Sequence, residues 1–299
     1  ARVRQAITLL FDFEWSNATL FHNAYTRTSS YFDNSELAAR GEPDASELAL
    51  LEPLRDQLPA AVFGPAWVPP KTDGSGAIRE QRRTAYALLK DAGWQIVDDQ
   101  LVNADGEPLQ FEFLLVQPEF ERVLLPFKRN LASLGITMEL RRVDVSQYIN
   151  RLRSREFDMV VTGFGQSNSP GNEQREYWHS SSADNPGSRN LMGLKDPAVD
   201  ALVEGLVQAD SRESLITHTH ALDRALRSLH LLVPNWYTSV YRVAYWNKFG
   251  HPATPPKYDL GLFTWWVDPD KEARLRGALG TQQDDGAGQQ QGDQPAGAE

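Results

Sequence analysis

Apolar residues recur at helical spacing from the first turn of the chain: Val3, Ile7, Leu10 and Phe11 predict a helix through about Glu14, with no turn residue to interrupt it. Residues 15–43 lose that period. They are aromatic and polar, centred on YTRTSSYF (Tyr25 to Phe32), and read as a loop with short turns. Asp44 followed by Glu47 resembles a capping box and predicts a helix through Gln57. Pro59, Pro65, Pro69, Pro70 and the DGSG run at 73–76 mark a long extended segment.

Further along, the period alternates between helix and strand. A helix over 78–92 ends at Gly93, and Ile96 to Val102 and Leu109 to Val116 predict a strand pair around the Asp105-Gly106 turn. Leu109, Phe111, Phe113 and Leu115 fall on one face, which should be core. A helix from Glu119 to Leu134 carries Pro126, expected to kink it, and Gly135 ends it before the strand Ile136, Met138, Leu140. Helix 145–155 should turn Tyr148, Ile149 and Leu152 inward, and strand 157–162 follows. Asp196-Pro197 is an N-cap with proline at the first helical position, and helices over 197–209 and 212–230 come next. Leu231 to Val243 reads as a strand, and an aromatic run, LGLFTWWVD, follows Pro252 to Pro256. Strands alternating with helices argue for an α/β fold with much of its sheet buried.

Composition adds limits. The chain has 299 residues, 41% apolar and 23% charged, which suits a globular protein of one large or two ordinary domains. The formal charge is −10; residues 277–299 hold Asp284, Asp285, Asp293 and Glu299 without a cation, so −10 minus −4 leaves −6 for residues 1–276. That mild acidity argues against a nucleic-acid partner. The 277–299 stretch is Gly, Gln, Asp and Ala, which predicts a disordered tail. Absence of cysteine excludes disulfides and a thiol nucleophile. No apolar run approaches the ~18 residues of a membrane span, and the start ARVRQAITLL lacks the order of a secretory signal. A chain that opens inside a helix without Met reads as a piece of a longer protein.

Chemistry concentrates in Phe157 to Ser180, FDMVVTGFGQSNSPGNEQREYWHS, where an apolar strand empties into glycines, amides and charges. A dinucleotide fingerprint needs a third glycine where Asn168 stands, and no Gly-Lys-Ser/Thr follows, so a tight turn is the simpler reading. His218 and His220 lie two apart on a predicted helix, about 200° apart in direction, and cannot share one metal ion. Ser180, Ser181 and Ser182 have no nucleophile elbow, and Asp98-Asp99 would diverge on a strand. Arg151 and Arg155, at i, i+4, read as a solvated face, and Glu173, Arg175 and Glu176 as a surface ion cluster. Amides and charges beside Tyr177-Trp178 are also what a peptide or sugar-like ligand requires, so ligand contact and structural packing both stay open.

VRQAITLLFDFEWSN resembles the helix that opens the second lobe in bacterial extracellular solute-binding proteins of the dipeptide/oligopeptide type. YTRTSSYF, VPPKTDGSG, LLKDAGW, ERVLLPFKRNL, the long run LGITMELRRVDVSQYINRLRSREFDMVVTGFGQSNSPGNEQREYW, GSRNL and VPNWY follow in the order of the Yej-type branch, associated with peptide and microcin C uptake. The resemblance covers residues 1–276. It implies a two-lobed clamshell periplasmic binding protein, a mixed sheet flanked by helices, of which this chain is the second lobe with the first lobe missing. Residues 1–230 would form that lobe, and 231–276 a return segment that normally completes the first, exposing Trp236, Trp246, Trp265 and Trp266. It implies a peptide ligand, delivery to the permease subunits of an ABC importer in the periplasm, no cofactor and no catalysis, with any export signal upstream of Ala1. The alternatives are a peptide-acting hydrolase and a fragment without autonomous binding.

In such proteins a Gly-Trp-x-x-Asp pattern supplies a carboxylate to the peptide amino group. Here Phe164 and Ser167 stand at the Trp and Asp positions, so the resemblance does not imply a simple amino-terminus anchor: either Glu173 replaces it or the ligand is longer and differently modified. The expected ligand-facing residues are Tyr31, Phe164, Gln166, Ser167, Asn172, Glu173, Arg175, Tyr177, Trp178 and Arg189.

Overall fold

The computed structural model describes residues 1–257 and 259–287. In chain order the elements of the first compact unit, 1–238, are α1 (Arg2–Leu9), α2 (Phe13–Leu20), β1 (Thr26–Arg27), α3 (Ala45–Leu51), α4 (Arg79–Asp91), β2 (Gln95–Val97), β3 (Gln100–Val102), β4 (Gln110–Leu115), α5 (Glu121–Ala132), β5 (Thr137–Arg142), α6 (Val145–Ser154), β6 (Met159–Val160), α7 (Glu173–Trp178), α8 (Pro197–Val207), α9 (Arg212–Ser228) and β7 (Trp236–Tyr237). β4 lies between β5 and β6, parallel to both, with Phe113 opposite Leu140 and Met159. Parallel neighbours need crossovers, and α5 and α6 supply them. The antiparallel pairs are separate ladders, β1 with β7 and β2 with β3.

Two large apolar cores and a small third one, around Phe32, Leu37 and Ala38, organise this unit. The first packs α1, α4 and α5 on the sheet through Leu10, Leu89, Phe113, Leu115, Leu131 and Met138; of the predicted core face of β4, Phe113 and Leu115 are buried and Leu109 and Phe111 half-buried, while Leu114 on the other face is buried too. The second joins α3, α7, α8 and α9 through Leu51, Trp178, Val199, Leu202 and Leu222.

Several local expectations give way to tertiary contacts. The opening helix does not run through Glu14: α1 ends at Leu9, and Asp12 caps α2 by accepting from the Trp15 N–H at 3.1 Å. Asp12 is held there by the Thr72 hydroxyl at 2.6 Å, a partner sixty residues away that no local pattern reveals. The stretch read as one strand from Ile96 to Val102 is a hairpin, with Val97 opposite Gln100 and Asp98-Asp99 as its two-residue turn. Both aspartates have positive φ (48° and 63°), as such a turn requires. Gly135 earns its place by contact: at φ +76° a Cβ would sit 2.5 Å from the Leu101 nitrogen, whose N–H donates to the Gly135 carbonyl at 2.9 Å. α6 is covered only in part, since Tyr148 and Leu152 are half-buried and Ile149 is exposed rather than inward.

The segment read as a strand over 231–243 forms only β7. Its Trp236 is not exposed; it packs on Phe21 (ring centroids 4.7 Å apart), Tyr25 (5.8 Å) and Phe120 (5.9 Å, stacked).

The second unit begins at Ser239. In it β8 (Phe249–Gly250) pairs antiparallel with β9 (Trp266–Val267), and Trp265 packs on Tyr245 at 4.8 Å. Trp246 and Trp266 are exposed, as the resemblance implies, and Phe263 is fully so, whereas Trp265, expected to be exposed, is half-buried. α10 (Pro269–Ala287) starts where Asp268 accepts the Asp270 and Lys271 N–H groups, both at 3.0 Å. The helix runs through residues 277–287, which composition assigned to an unordered tail; residues 288–299 lie outside the described residues. Among the described residues no helix is long and apolar enough to cross a membrane.

Candidate functional site

The stretch that leaves β6 at Val160 pairs with no strand among the described residues. Its carbonyls are anchored at every second residue: Tyr148 Oη donates to Val161 O at 3.2 Å, Arg189 Nη2 to Gly163 O at 3.0 Å, and Tyr177 Oη to Gly165 O at 3.1 Å. The backbone groups of the alternate residues, Thr162, Phe164 and Gln166, have no partner among the described residues. Period-two spacing of this kind places one set of N–H and C=O groups against the protein and turns the other set away from it.

Beside this stretch the predicted rings converge. Phe164 lies 4.7 Å from Trp178, 5.5 Å from Tyr177 and 6.5 Å from Tyr31 between ring centroids, and Tyr31 meets Trp178 edge-on at 4.9 Å. Phe164 and Tyr31 are half-buried and present surface, whereas Trp178 is fully buried and Tyr177 nearly so. Trp178 is therefore packing, its indole N–H donated to Gln174 Oε1 at 2.9 Å. Gln174 in turn donates to Gln166 Oε1 at 2.6 Å, which ties the stretch to α7 and leaves the buried Gln166 Nε2 without an acceptor. Arg189 is exposed, with its guanidinium 4.8 Å from the Tyr177 ring centroid.

The remaining predicted residues are turned to structural work or left outside. Arg175 forms a two-pronged pair with Glu204 of α8 (Nε to Oε1 and Nη2 to Oε2, both 2.6 Å), not with Glu173. That guanidinium holds the Glu204 carboxyl below its ordinary range. Asn172 accepts from the same arginine. Glu173 accepts from the Gly171 N–H at 2.9 Å and from Gln174 at 3.3 Å, closing the turn before α7. Ser167 is exposed, its hydroxyl accepting from the Ser169 N–H at 3.1 Å. Arg155 is no solvated face: it ends α6 in the left-handed region and donates to Ser188 Oγ (2.8 Å) and to the carbonyls of Asn185 (3.0 Å) and Asn190 (3.1 Å). It thereby shapes the loop that carries Arg189.

Sequence reasoning missed the support behind Tyr31. Asp223, fully buried on α9, accepts from Ser30 Oγ (2.8 Å), the N–H groups of Tyr31 (2.9 Å) and Ala39 (3.1 Å), and Arg227 Nη1 (2.9 Å). Burial pushes its carboxyl up, and Arg227 and the hydrogen bonds oppose that rise. Glu47 turns away from the capping box to Arg224 and to His220 Nδ1 (2.9 Å), while His220 Nε2 meets the Glu36 carbonyl at 2.8 Å. With an acceptor at both nitrogens the imidazolium is favoured, and its pKa is raised, chiefly by Glu47. The only signal in the sequence was a run of charges at helical spacing on an otherwise apolar α9 face, which is ambiguous without its partners.

Ser181 Oγ lies 2.8 Å from His179 Nδ1, and His179 Nε2 lies 3.7 Å from Glu204, the residue types of a hydrolase triad. Their arrangement is that of a cap, because His179 Nδ1 accepts the Ser181 N–H at 3.0 Å. The N–H groups of Ser180, Ser182 and Ala183 are bonded to Asp200, His179 and Ser180, so these three donors are engaged within the fold.

Comparison with known proteins agrees with this architecture. Residues 1–186 match the model for bacterial extracellular solute-binding proteins, family 5 middle. The chain is 43% identical over 279 residues to a protein of Escherichia coli (strain K12) named uncharacterized protein YejA, covering 93% of this chain and 46% of that protein. It is 39% identical over 267 residues to the probable peptide-binding protein YejA of Agrobacterium fabrum (strain C58 / ATCC 33970), covering 89% and 44%. The chain thus spans about half the length of the curated relatives it matches. The fold is also that of the oligopeptide-binding protein AppA from Bacillus subtilis, solved in complex with a nonapeptide, with a TM-score of 0.61 at 19% identity over 89% of this chain and 47% of that one. The chain belongs to the family 5 bacterial extracellular solute-binding proteins.

Proposed function

We propose that this chain is the second, ligand-binding lobe of the substrate-binding component of an ABC-type importer, and that its ligands are oligopeptides or modified peptides captured in the periplasm. The observation that carries this reading is the row of backbone groups without a partner among the described residues at Thr162, Phe164 and Gln166, beside the half-buried rings of Phe164 and Tyr31. An extended peptide has the complementary row of backbone donors and acceptors, and its side chains can cover flat rings. Residues 1–230 form the lobe in this reading, and 231–276 contribute to the other lobe of the whole protein. Closure of two lobes on a peptide then converts binding energy into the shape that the permease subunits recognise. The name of the Agrobacterium relative supports a peptide ligand.

Calorimetric titration of the chain with defined tri- and pentapeptides tests the reading, with mass spectrometry of the same mixtures. Saturable heat without cleavage is expected, and Phe164→Ala should weaken binding about tenfold by removing a ring contact worth roughly 1–1.5 kcal/mol. Absence of saturable binding, or peptide turnover at catalytic protein levels, overturns it.

A further inference from the structure

The peptide reading leaves open how the wall chooses among peptides, and the balance of donors and acceptors around the stretch after β6 bears on that choice. Two of the carboxylates nearby are engaged within the lobe, Glu204 by both prongs of Arg175 and Glu173 by the Gly171 N–H and Gln174, while Glu176 of α7 is exposed and forms no ion pair with Arg189. Ser167, at the position where an acid was expected, is a neutral hydroxyl already accepting from Ser169. Arg189 is the opposite case. Its guanidinium is exposed and has no carboxylate within 4.0 Å among the described residues. It is nevertheless oriented, by the bond from Nη2 to Gly163 O at 3.0 Å and by the Tyr177 ring 4.8 Å away. A guanidinium has five donors in a rigid fork, and one contact with a carbonyl leaves the others to bind. Gln166 Nε2, a buried donor without an acceptor, lies on the same stretch of chain.

We propose that Arg189 is the specificity-determining anchor of this wall, and that it selects peptide-like ligands bearing a carboxylate. The inference rests on the peptide reading above. A planar carboxylate can accept two parallel N–H bonds from the fork, a geometry that a carboxamide of the same shape cannot fully reproduce because it has one oxygen and two donors of its own. The lobe therefore holds its ligand by an acid, where the Gly-Trp-x-x-Asp pattern would hold it by an amine. The carboxylate can come from the peptide carboxyl terminus or from an acidic side chain. Both present the same chemistry.

The experiment is calorimetry on the 299-residue chain with four probes: tetra-alanine as the free acid, tetra-alanine amide, Ala-Ala-Glu-Ala amide and Ala-Ala-Gln-Ala amide. For the wild type, at least one acid should bind roughly 10- to 100-fold tighter than its neutral counterpart, the range of a charge-assisted hydrogen bond. A preference in the first pair identifies the carboxyl terminus as the source, and one in the second pair the side chain. Arg189→Gln should erase that preference while neutral peptides still bind, and Arg189→Lys should restore only part of it because ammonium lacks the fork. Added salt should reduce the preference in the wild type and leave Arg189→Gln unchanged. Because Arg189 is exposed, the variant's melting temperature serves as the control for folding. Equal binding of acids and neutral peptides, or a preference that survives in Arg189→Gln, overturns the Arg189 anchor and leaves the peptide reading standing. Failure of all four probes to bind the wild type overturns both.

Discussion

Asp223 shows most clearly what a single side chain contributes. Its carboxylate gathers four donors from α9, from Ala39 and from the loop that presents Tyr31, all out of contact with water. Replacing it by alanine strands Arg227 and three uncharged donors in the interior, so Asp223→Ala should cost about 3–5 kcal/mol, measured by urea unfolding. A loss under about 1 kcal/mol would mean that water reaches those donors. His220 makes a related but titratable contribution. Its folded pKa is raised, chiefly by Glu47, with the Glu36 carbonyl, Asp223 and Arg224 also facing this pocket. A raised pKa means that the folded state holds the proton more tightly. The stabilisation is complete below about pH 6.5, the unfolded histidine value, and is lost as pH rises through the folded one. Thermal melts of the wild type from pH 6 to pH 9 should therefore fall relative to His220→Gln, which lacks the titration. Parallel curves would refute the linkage.

Elements depend on where they end. α3, α8 and α9 begin at Asp44, Asp196 and Ser211, each accepting a backbone N–H of the first turn, and such caps need only the few residues around them. The turn between α5 and β5 depends on something more distant. Gly135 combines positive φ with contact against the Gln100-Leu101 backbone, so Gly135→Ala should destabilise by roughly 2–4 kcal/mol from left-handed strain and overpacking together. Denaturant unfolding would show it as a lower midpoint at unchanged slope. Gly106→Ala provides the comparison, because its φ of +81° is as strained but no atom lies within 4 Å of the added carbon. Equal losses at the two sites would assign the whole effect to the backbone angle.

On the scale of the whole molecule, Trp236 of the unit of residues 1–238 is half-buried, whereas Trp246, Phe263 and Trp266 of the second unit are exposed. Exposed aromatic surface of this kind favours association. The 299-residue chain should sediment as a concentration-dependent mixture, and Phe263→Ser should shift it toward monomer, since that ring makes no burying contact of its own. A wild-type chain monomeric at high concentration would show that other groups keep this surface apart.

The sequence by itself determined what depends on near neighbours. The helices α3, α4, α5, α6, α8 and α9, the αβ alternation and the order of motifs that marks the family were legible, because helical period, strand alternation and caps act over a few residues, whereas α7 and α10 were not read as helices. The nearness of Phe164 and Tyr177 was also legible in outline, from rings and amides crowded into one loop, whereas Tyr31 joined them only through the resemblance. Only the tertiary structure decided which of those groups face outward. Arg175, Glu173 and Arg189 look alike in sequence as charges on a polar stretch, and they differ because Glu204 comes from α8, Gly171 from a turn, and Gly163 from the stretch after β6. The split between α1 and α2 at Asp12 and the Glu47 bonds to α9 have the same origin, whereas the hairpin at Asp98-Asp99 is a local pairing within a stretch whose pattern reads as one continuous strand. In the first two, a contact across tens of residues outweighs a local preference worth about 1 kcal/mol, and no pattern confined to a window of the chain contains that contact.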